Sequence, residues 1–419
     1  MRIESFLERF IKVGSLTLID VDGKSYRFVG TPTPDVTIQL CSRSFARRLL
    51  RSPQLALGEG YVNGDFIIKK GNVFDLLMMC ASNLQYTSLS PLKNFFRTLG
   101  KRFFHSRTSI SQSQHNISYH YDLSEALYRL FLDKDMQYSC GYFKNIHDDL
   151  ETAQENKKRH LTAKLQIKPG QKILDIGCGW GGFALSLARE ANVQVVGLTL
   201  SKEQHRVATA RAKEAGLADR VSFQLKDYRQ EAGLYDRIVS MGMFEHVGPR
   251  QYDEFFSKVS SLLKENGLAV LHSIGRSTGP NMPNPWLDKY IFPGGYCPAL
   301  SETMEAIEDS KLHATDIEIL HHHYAETLRH WRKRFLDNRE RVLIAWGPRF
   351  LRMWEYYLTL CEVAFRKQGF MAFQIQMVKN QENASLTRDY MREEERKFKG
   401  VLISLDTKRK TAQQATRFS

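Results

Sequence analysis

Residues 172–189 constrain the fold of this chain more than any other segment. They read Lys-Ile-Leu-Asp-Ile-Gly-Cys-Gly-Trp-Gly-Gly-Phe-Ala-Leu-Ser-Leu-Ala-Arg, a short apolar run followed by glycines and then by apolar residues at helical spacing. This pattern predicts a strand, a tight turn and the start of a helix. Gly177, Gly179 and Gly181 would let the backbone approach a ligand closely, and Asp175 adds a carboxylate at the end of the strand. The segment indicates a nucleoside cofactor, although an ordinary strand-to-helix connection gives the same pattern.

Strands and helices alternate from about residue 167 onward. The apolar runs predict strands at 173–176, 193–198, 221–225, 237–240 and 267–273, with helices at 182–190, 203–215 and 251–263. Such an alternation predicts an α/β fold with a Rossmann-like parallel sheet and helices on both faces. Ligands of these sheets bind outside the carboxyl ends of the strands.

The 419 residues exceed what one core usually supports, so we expect more than one domain. Residues 1–85 predict a small N-terminal α+β domain for lipid binding or dimerisation, with an amphipathic helix, three strands and two further helices. Residues 86–114 are expected to be a basic aromatic linker, residues 115–395 the catalytic domain and residues 396–419 a polar basic tail.

The net charge of +14 favours polyanionic partners but does not distinguish nucleic acid from an anionic lipid surface. Residues 87–113 contain five lysines or arginines, four phenylalanines and no acidic residue. This composition is typical of a segment at an anionic membrane interface. A linker whose phenylalanines pack onto either domain explains it equally well.

The six cysteines are scattered without Cys-x-x-Cys spacing, which predicts a reduced cytosolic protein without a structural metal. No uncharged apolar run reaches the roughly 18 residues that a membrane span needs, so we expect neither secretion nor an integral membrane segment.

The ends of the second and third predicted strands argue against a dinucleotide. An NAD site needs an acidic residue about 20 residues after the glycines, where this chain has Thr199, Leu200 and Ser201. Hydroxyl and amide groups there, including Gln204, could still bind ribose. Asp227 and Tyr228 at the end of the third strand could hold an adenine.

Seven segments together resemble the cyclopropane fatty acyl phospholipid synthase family. These segments are 57–65, 119–124, 136–143, 243–248, 272–275, 291–295 and 323–331. The resemblance extends from about residue 119 to about residue 379 and reappears in the N-terminal segment. It implies a class I methyltransferase fold that uses S-adenosylmethionine to methylate acyl-chain double bonds.

The resemblance also implies roles for residues at matching positions. The implied S-adenosylmethionine pocket consists of Tyr138, Ser139, Asp175, Gly177, Gly179, Gly181, Thr199, Leu200, Gln204, Asp227 and Tyr228. A bicarbonate ion is implied at the reaction centre, held by Cys140, Glu245, His272, Tyr324 and the backbone of Ile274. Cys361 matches a late cysteine for which a catalytic role has been proposed in relatives. Since a cationic mechanism needs no covalent nucleophile, we expect Cys361 to line the acyl pocket.

A cis olefin is a weak nucleophile, so it must meet the activated methyl group in a dry, aromatic slot. A base must then remove a proton from the added methyl group, and bicarbonate oriented by Glu245, His272 and Tyr324 would do this. The expected lipid-facing aromatic residues are Tyr290, Phe292, Tyr296, Trp331, Trp354 and Phe365. Aromatic side chains of this kind more commonly pack in the protein core.

The resemblance thus implies cyclopropane ring formation in phospholipid acyl chains, with no metal. We expect a cytoplasmic protein, peripherally associated with the inner face of the membrane and possibly a homodimer. Glu245 and Tyr324 favour ring closure, but a related lipid C-methyltransferase with a methyl-branched or methylene product remains an alternative. A nucleic-acid methyltransferase is less favoured because the chain lacks a target-base motif. An inactive lipid carrier is a further alternative.

Overall fold

The computed structural model describes residues 3–84 and 125–397. The predicted linker at 86–114 and the motif at 119–124 lie outside these ranges. So do residues 398–419 of the predicted tail.

Residues 3–84 form a four-stranded sheet with four helices. The elements are α1 (Ile3–Phe10), β1 (Ser15–Ile19), β2 (Ser25–Val29), β3 (Asp35–Leu40), α2 (Arg43–Arg51), α3 (Pro53–Asn63), β4 (Phe66–Lys70) and α4 (Val73–Leu84). The strand order is β2-β1-β3-β4, in which β1 and β3 are parallel and the other pairs antiparallel. Sequence periodicity predicts these elements except α3 and β4.

Helix α3 was not predicted because its glycines mask the helical pattern. Their lack of a side chain allows close packing: a Cβ on Gly58 would lie 2.4 Å from the Trp286 ring, and one on Gly60 2.3 Å from the Phe45 ring. Gly64 ends the helix in the left-handed conformation, with φ 78°. The three glycines therefore serve packing and capping.

The larger part of the chain is built on a seven-stranded sheet. Its strands are β5 (Lys172–Ile176), β6 (Gln194–Thr199), β7 (Val221–Leu225), β8 (Tyr235–Met241), β9 (Leu263–Arg276), β10 (His313–Leu320) and β11 (Phe370–Val378). Its helices are α5 (Glu125–Arg129), α6 (Leu150–Lys164), α7 (Gly182–Glu190), α8 (Lys202–Glu214), α9 (Tyr252–Leu262), α10 (Pro285–Tyr290), α11 (Leu300–Asp309), α12 (His323–Asp337) and α13 (Arg339–Lys367).

The strand order β10-β11-β9-β8-β5-β6-β7 confirms the α/β prediction. Strands β5 to β9 are parallel to their neighbours, as expected. Strands β10 and β11 at the other edge were not predicted, and β11 runs antiparallel to both β9 and β10. The reason is the connection: α12 and α13 form a helical hairpin that returns the chain to the edge at which β10 ends, so the next strand runs backwards.

The N-terminal module, residues 3–84, packs against α10 and α13. Glu59 of α3 accepts hydrogen bonds from Lys289 Nζ and Tyr290 Oη of α10, each at 2.8 Å. The Tyr61 hydroxyl donates to Glu355 Oε2 of α13 at 2.9 Å. The module thus braces two helices that, as described below, line a cavity.

In the part of the chain that the structure describes, no helix has both the length and the apolar composition that a bilayer span requires.

Candidate active site

The glycine turn directly follows β5, and Gly177, Gly179 and Gly181 have different structural roles in it. Gly177 has φ 85°, and a Cβ on it would lie 2.6 Å from Met243 Cβ. Gly179 has φ 54° and borders a cavity, with open space where a Cβ would point. Gly181 caps α7 with φ 80°, and a Cβ on it would clash with the Phe223 ring at 2.6 Å. Gly177 and Gly179 therefore bring the backbone to the cavity, whereas Gly181 allows helix and strand to pack.

The first cavity, which we call the cofactor cavity, has a volume of about 1060 Å³ and lies outside the carboxyl ends of β5, β6 and β8. Nine of the eleven predicted cofactor residues line it: Tyr138, Ser139, Gly177, Gly179, Thr199, Leu200, Gln204, Asp227 and Tyr228. Asp175 and Gly181 lie behind its wall.

Asp175 is a buried carboxylate beneath the glycine turn. It is 1% exposed, and neither of its oxygens has a hydrogen-bond partner. Burial raises the pKa of Asp175 to about 7. Its place at the end of β5 is the predicted one, but its side chain does not line the cavity.

The polar groups of the cofactor cavity are held by one another. Thr199 Oγ1 donates to Gln204 Oε1 at 2.9 Å, and Ser201 Oγ caps α8 by accepting from the Gln204 amide at 3.2 Å. Asp227 accepts from Arg229 Nε at 2.9 Å and from Arg229 Nη2 at 2.8 Å. The hydroxyl, amide and carboxylate groups that a nucleoside needs are therefore fixed in place.

A second cavity, which we call the lipid cavity, has a volume of about 1130 Å³ and adjoins the first. Tyr138, Gly242 and His246 line both. Four of the six predicted catalytic residues line the lipid cavity: Glu245, Ile274, Tyr324 and Cys361. The structure brings these four to the wall of one cavity, with Tyr324 on α12 and Cys361 on α13.

Glu245 lines the lipid cavity and precedes His246, which lines both cavities. Its Oε1 accepts from the Ile274 amide at 2.7 Å, and its Oε2 is inaccessible to solvent and has no hydrogen-bond partner. Burial raises the pKa of Glu245 to about 7, and the Ile274 hydrogen bond opposes this shift only in part. A carboxyl group with a pKa near neutrality can both accept and release a proton.

Cys140 and His272, the other two predicted catalytic residues, are buried and line neither cavity. His272 Nδ1 lies 3.1 Å from Gln374 Nε2 on the neighbouring strand, and burial lowers the pKa of His272 to about 3. Burial raises the pKa of the Cys140 thiol, whose Sγ lies 3.3 Å from the Gly141 carbonyl oxygen. A neutral imidazole and a neutral thiol therefore stand behind the reaction centre.

Aromatic rings form much of the remaining wall. The Tyr138 and Tyr357 hydroxyls are 2.6 Å apart, and the Tyr324 ring packs on Phe365 with centroids 4.7 Å apart. Three of the six rings expected to face lipid line the lipid cavity: Phe292, Tyr296 and Phe365. The other three do not, because Trp331 and Trp354 fill the core and the Tyr290 hydroxyl is bonded to Glu59.

Sequence reasoning missed Lys157 of α6, which is completely buried beneath the cofactor cavity. Its Nζ donates to Ser139 Oγ at 2.8 Å and to Gln137 Oε1 at 2.7 Å, so it fixes two residues of the cavity wall. Burial lowers the pKa of Lys157 to about 7. The seven-residue spacing to the equally buried Lys164 was a signal, but lysines at helical spacing usually indicate a solvated face.

No group of three or more His, Cys, Asp or Glu side chains that could hold a metal ion occurs within residues 3–84 and 125–397.

Comparisons with known proteins cover most of the chain. The family described as mycolic acid cyclopropane synthetase matches residues 108–375. A probable fatty acid methyltransferase of Pseudomonas putida is 36% identical over 358 residues, which are 83% of this chain and 88% of that protein. The cyclopropane-fatty-acyl-phospholipid synthase of Escherichia coli strain K12 is also 36% identical, over 84% of this chain and 90% of its own length.

Solved structures resemble the larger part of the chain. The cyclopropane synthase MmaA2 from Mycobacterium tuberculosis superposes with a TM-score of 0.60 at 30% identity, covering 63% of this chain and 97% of its own. The mycolic acid cyclopropane synthase CmaA1, in a complex with SAH and CTAB, has a TM-score of 0.60 at 32% identity and the same coverage. About a third of this chain therefore has no counterpart in these two structures.

Proposed function

The chain belongs to the mycolic acid cyclopropane synthetase family, and from this premise we propose that it methylates the cis double bond of unsaturated phospholipid acyl chains and closes a cyclopropane ring. It is a methyltransferase that uses S-adenosylmethionine. The acceptor, the ring product and action at a membrane surface are the proposed part.

The cofactor cavity fits S-adenosylmethionine. Gly179 leaves open space where a side chain would project, so an elongated ligand can lie against the backbone. Thr199 and Gln204 offer groups for ribose hydroxyls, and Asp227 and Tyr228 a carboxylate and a ring for adenine. When bound, this cofactor supplies an electrophilic methyl group on a sulfonium centre.

The chain's own residues would position the alkene and exclude water. The rings of Tyr138, Tyr324 and Phe365 line the lipid cavity and can face the positive charge that develops on the alkene carbon. When that carbon becomes cationic, a C–H bond of the added methyl group breaks and its electron pair closes the ring. The released proton needs an acceptor beside an apolar chain.

We assign this proton to Glu245. Its Oε2 lacks a partner, it lines the lipid cavity, and its pKa of about 7 suits a base at neutral pH. The bicarbonate ion that the resemblance implies is a further proposal. It fits this arrangement only in part, because Glu245 already accepts from the Ile274 amide and because Cys140 and His272 do not line the cavity.

One observation carries the proposal: the cofactor cavity adjoins a second, largely apolar cavity that is lined by a buried carboxylate. The test uses the purified protein, methyl-labelled S-adenosylmethionine and vesicles of monounsaturated phospholipid. We expect label in the acyl chains, with mass spectrometry and proton NMR distinguishing a ring from a methyl branch or a methylene group. Intact cofactor binding without any label in lipid would contradict the proposal.

Glu245→Gln tests the base directly. We expect near-normal S-adenosylmethionine binding and a turnover reduced by at least about a hundredfold, because general base catalysis commonly contributes that much. Cys361→Ala is the matched control, since it changes another wall residue of the lipid cavity. Equal turnover in the Glu245→Gln protein and the wild type would remove Glu245 from the mechanism.

A related lipid C-methyltransferase remains the second candidate. Relatives that are 34% and 30% identical include the tuberculostearic acid methyltransferase UfaA1 of Mycobacterium tuberculosis and sphingolipid C9-methyltransferase 2 of Gibberella zeae. The product analysis above separates this candidate from ring formation.

A further inference from the structure

We propose that Arg276 binds an anionic oxygen group at the polar end of the lipid substrate, namely the phosphodiester of a phospholipid headgroup. This inference rests on the proposed function and adds to it the feature of the substrate that is recognised. It starts from a buried cation for which the described residues provide no counter-charge.

Arg276 ends β9 and is 6% exposed. Its Nε and Nη1 atoms are inaccessible to solvent and have no hydrogen-bond partner. No carboxylate of the described residues forms an ion pair with it. Its neighbours are the Phe370 ring, whose centroid lies 4.8 Å from the guanidinium carbon, and the Cys297 thiol.

The other buried lysines and arginines of the described ranges are well partnered. Arg237, also 6% exposed, donates from Nη2 to the Gln166 carbonyl at 3.0 Å and from Nη1 to the Asp236 carbonyl at 2.8 Å. Lys157 and Lys164 each donate to polar side chains. Arg276 differs from them, because its side-chain neighbours are a neutral thiol and an aromatic ring, and a buried cation without an anionic partner costs several kcal/mol. An anion in the lipid cavity, which Arg276 lines, would offset that cost.

The position of Arg276 suits the polar end of a lipid. It lines the lipid cavity but not the cofactor cavity, and it lies two residues beyond Ile274, about 7 Å farther along the strand from the reaction centre. Asn281, Asn284 and Gln368 line the same cavity and add polar groups to its wall.

Charge selects the ligand class. Among the described residues that line the lipid cavity, Arg276 is the only lysine or arginine. Burial lowers the pKa of His246 there to about 4, which keeps that ring neutral. A planar guanidinium binds a phosphate through two parallel hydrogen bonds, which a neutral ester cannot match. The phosphodiester is therefore the natural partner, and a fatty acid carboxylate is the competing anion.

The test measures binding of lipids that cannot react, so that it does not depend on turnover. Saturated phosphatidylglycerol, saturated diacylglycerol and a saturated fatty acid, each in neutral detergent micelles, are titrated into wild type and Arg276→Met. We expect phosphatidylglycerol to bind 10- to 100-fold more weakly to the variant, the effect of losing charge-assisted hydrogen bonds. Diacylglycerol should bind both proteins alike, and Arg276→Lys should restore part of the affinity.

Arg237→Met is the matched control, because it removes an equally buried guanidinium whose partners are backbone carbonyls. It should lower stability without changing the ratio of phosphatidylglycerol to diacylglycerol affinity. Equal weakening of both lipids by Arg276→Met, or no weakening, would overturn the proposal by reducing Arg276 to a packing role. Weakening confined to the fatty acid would overturn the phosphodiester assignment. Failure of the vesicle assay with intact phosphate-dependent binding would instead refute the proposed reaction alone.

Discussion

Replacement of Lys157 by methionine should change how stability depends on pH. Burial lowers the pKa of the Lys157 ammonium from an ordinary value of 10.5 to about 7, and the nearby Asp133 offsets this only in part. Between these two pH values the unfolded chain carries a proton that the native protein lacks. The free energy of unfolding of the wild type therefore rises with pH through this window, by up to about 5 kcal/mol from this one group.

Lys157→Met removes the titrating group and keeps an apolar chain of similar length. It also leaves Ser139 Oγ and Gln137 Oε1 without their donor, at a cost of about 1–3 kcal/mol that does not depend on pH. The difference in unfolding free energy between wild type and variant should thus grow by up to about 5 kcal/mol from pH 7 to pH 10.5. Below pH 7 and above pH 10.5 the difference should be flat.

Urea unfolding followed by circular dichroism at several pH values measures this difference. Lys164→Met is the matched control, because Lys164 is buried on the same helix but donates to the Glu318 carboxylate at 2.5 Å. This control measures the cost of removing a buried lysine from α6 while Lys157 is retained. A difference between wild type and Lys157→Met that is constant from pH 7 to pH 10 would refute the reasoning, because it would mean that Lys157 does not titrate in this range.

Three further outcomes follow from the site. The value of kcat/KM should fall about tenfold for each pH unit below 7, because the raised pKa of Glu245 leaves less of the carboxylate form there; a flat profile down to pH 6 would exclude this base. Cys361→Ala should keep more than half of wild-type turnover, since burial raises the thiol pKa to about 12 and no thiolate is available; a loss of a hundredfold would contradict this. Gly58→Ala should destabilise the protein by about 1–3 kcal/mol and raise the KM for lipid, because its Cβ would lie 2.4 Å from the Trp286 ring. An unchanged melting temperature for Gly58→Ala would show that the contact between α3 and Trp286 accommodates the added methyl group.

The sequence was sufficient to predict the centre of the sheet and the cofactor cavity. Apolar runs and glycines mark β5, the turn at 177–181 and α7 because close packing and positive φ angles leave few alternatives there. Residues at the ends of the next strands then reach the same cavity as a consequence of parallel topology. Thr199 and Asp227 are examples, since Thr199 ends β6, Asp227 follows β7 and both line the cavity.

Other features of the fold and the site depend on tertiary contacts, which leave no local pattern in the sequence. The reversal of β11 results from the α12–α13 hairpin, and the burial of Lys157 results from packing against the segment 137–139. His272 was expected at the reaction centre, yet the side chain lies behind the cavity wall against Gln374 of the neighbouring strand. The pairing of β9 with β11 determines where the His272 side chain lies, and the residue type alone does not predict that pairing.

Helix α10 is six residues long and has a neighbour on each side. Leu287 and Asp288 face the lipid cavity, whereas Trp286 and Lys289 meet the N-terminal module. This short helix separates the lipid cavity from the N-terminal module, so a displacement of the module would also move residues that line the cavity. A chain without residues 3–84 would lose the Glu59 hydrogen bonds and the Gly58–Trp286 contact that hold this side of the lipid cavity in place.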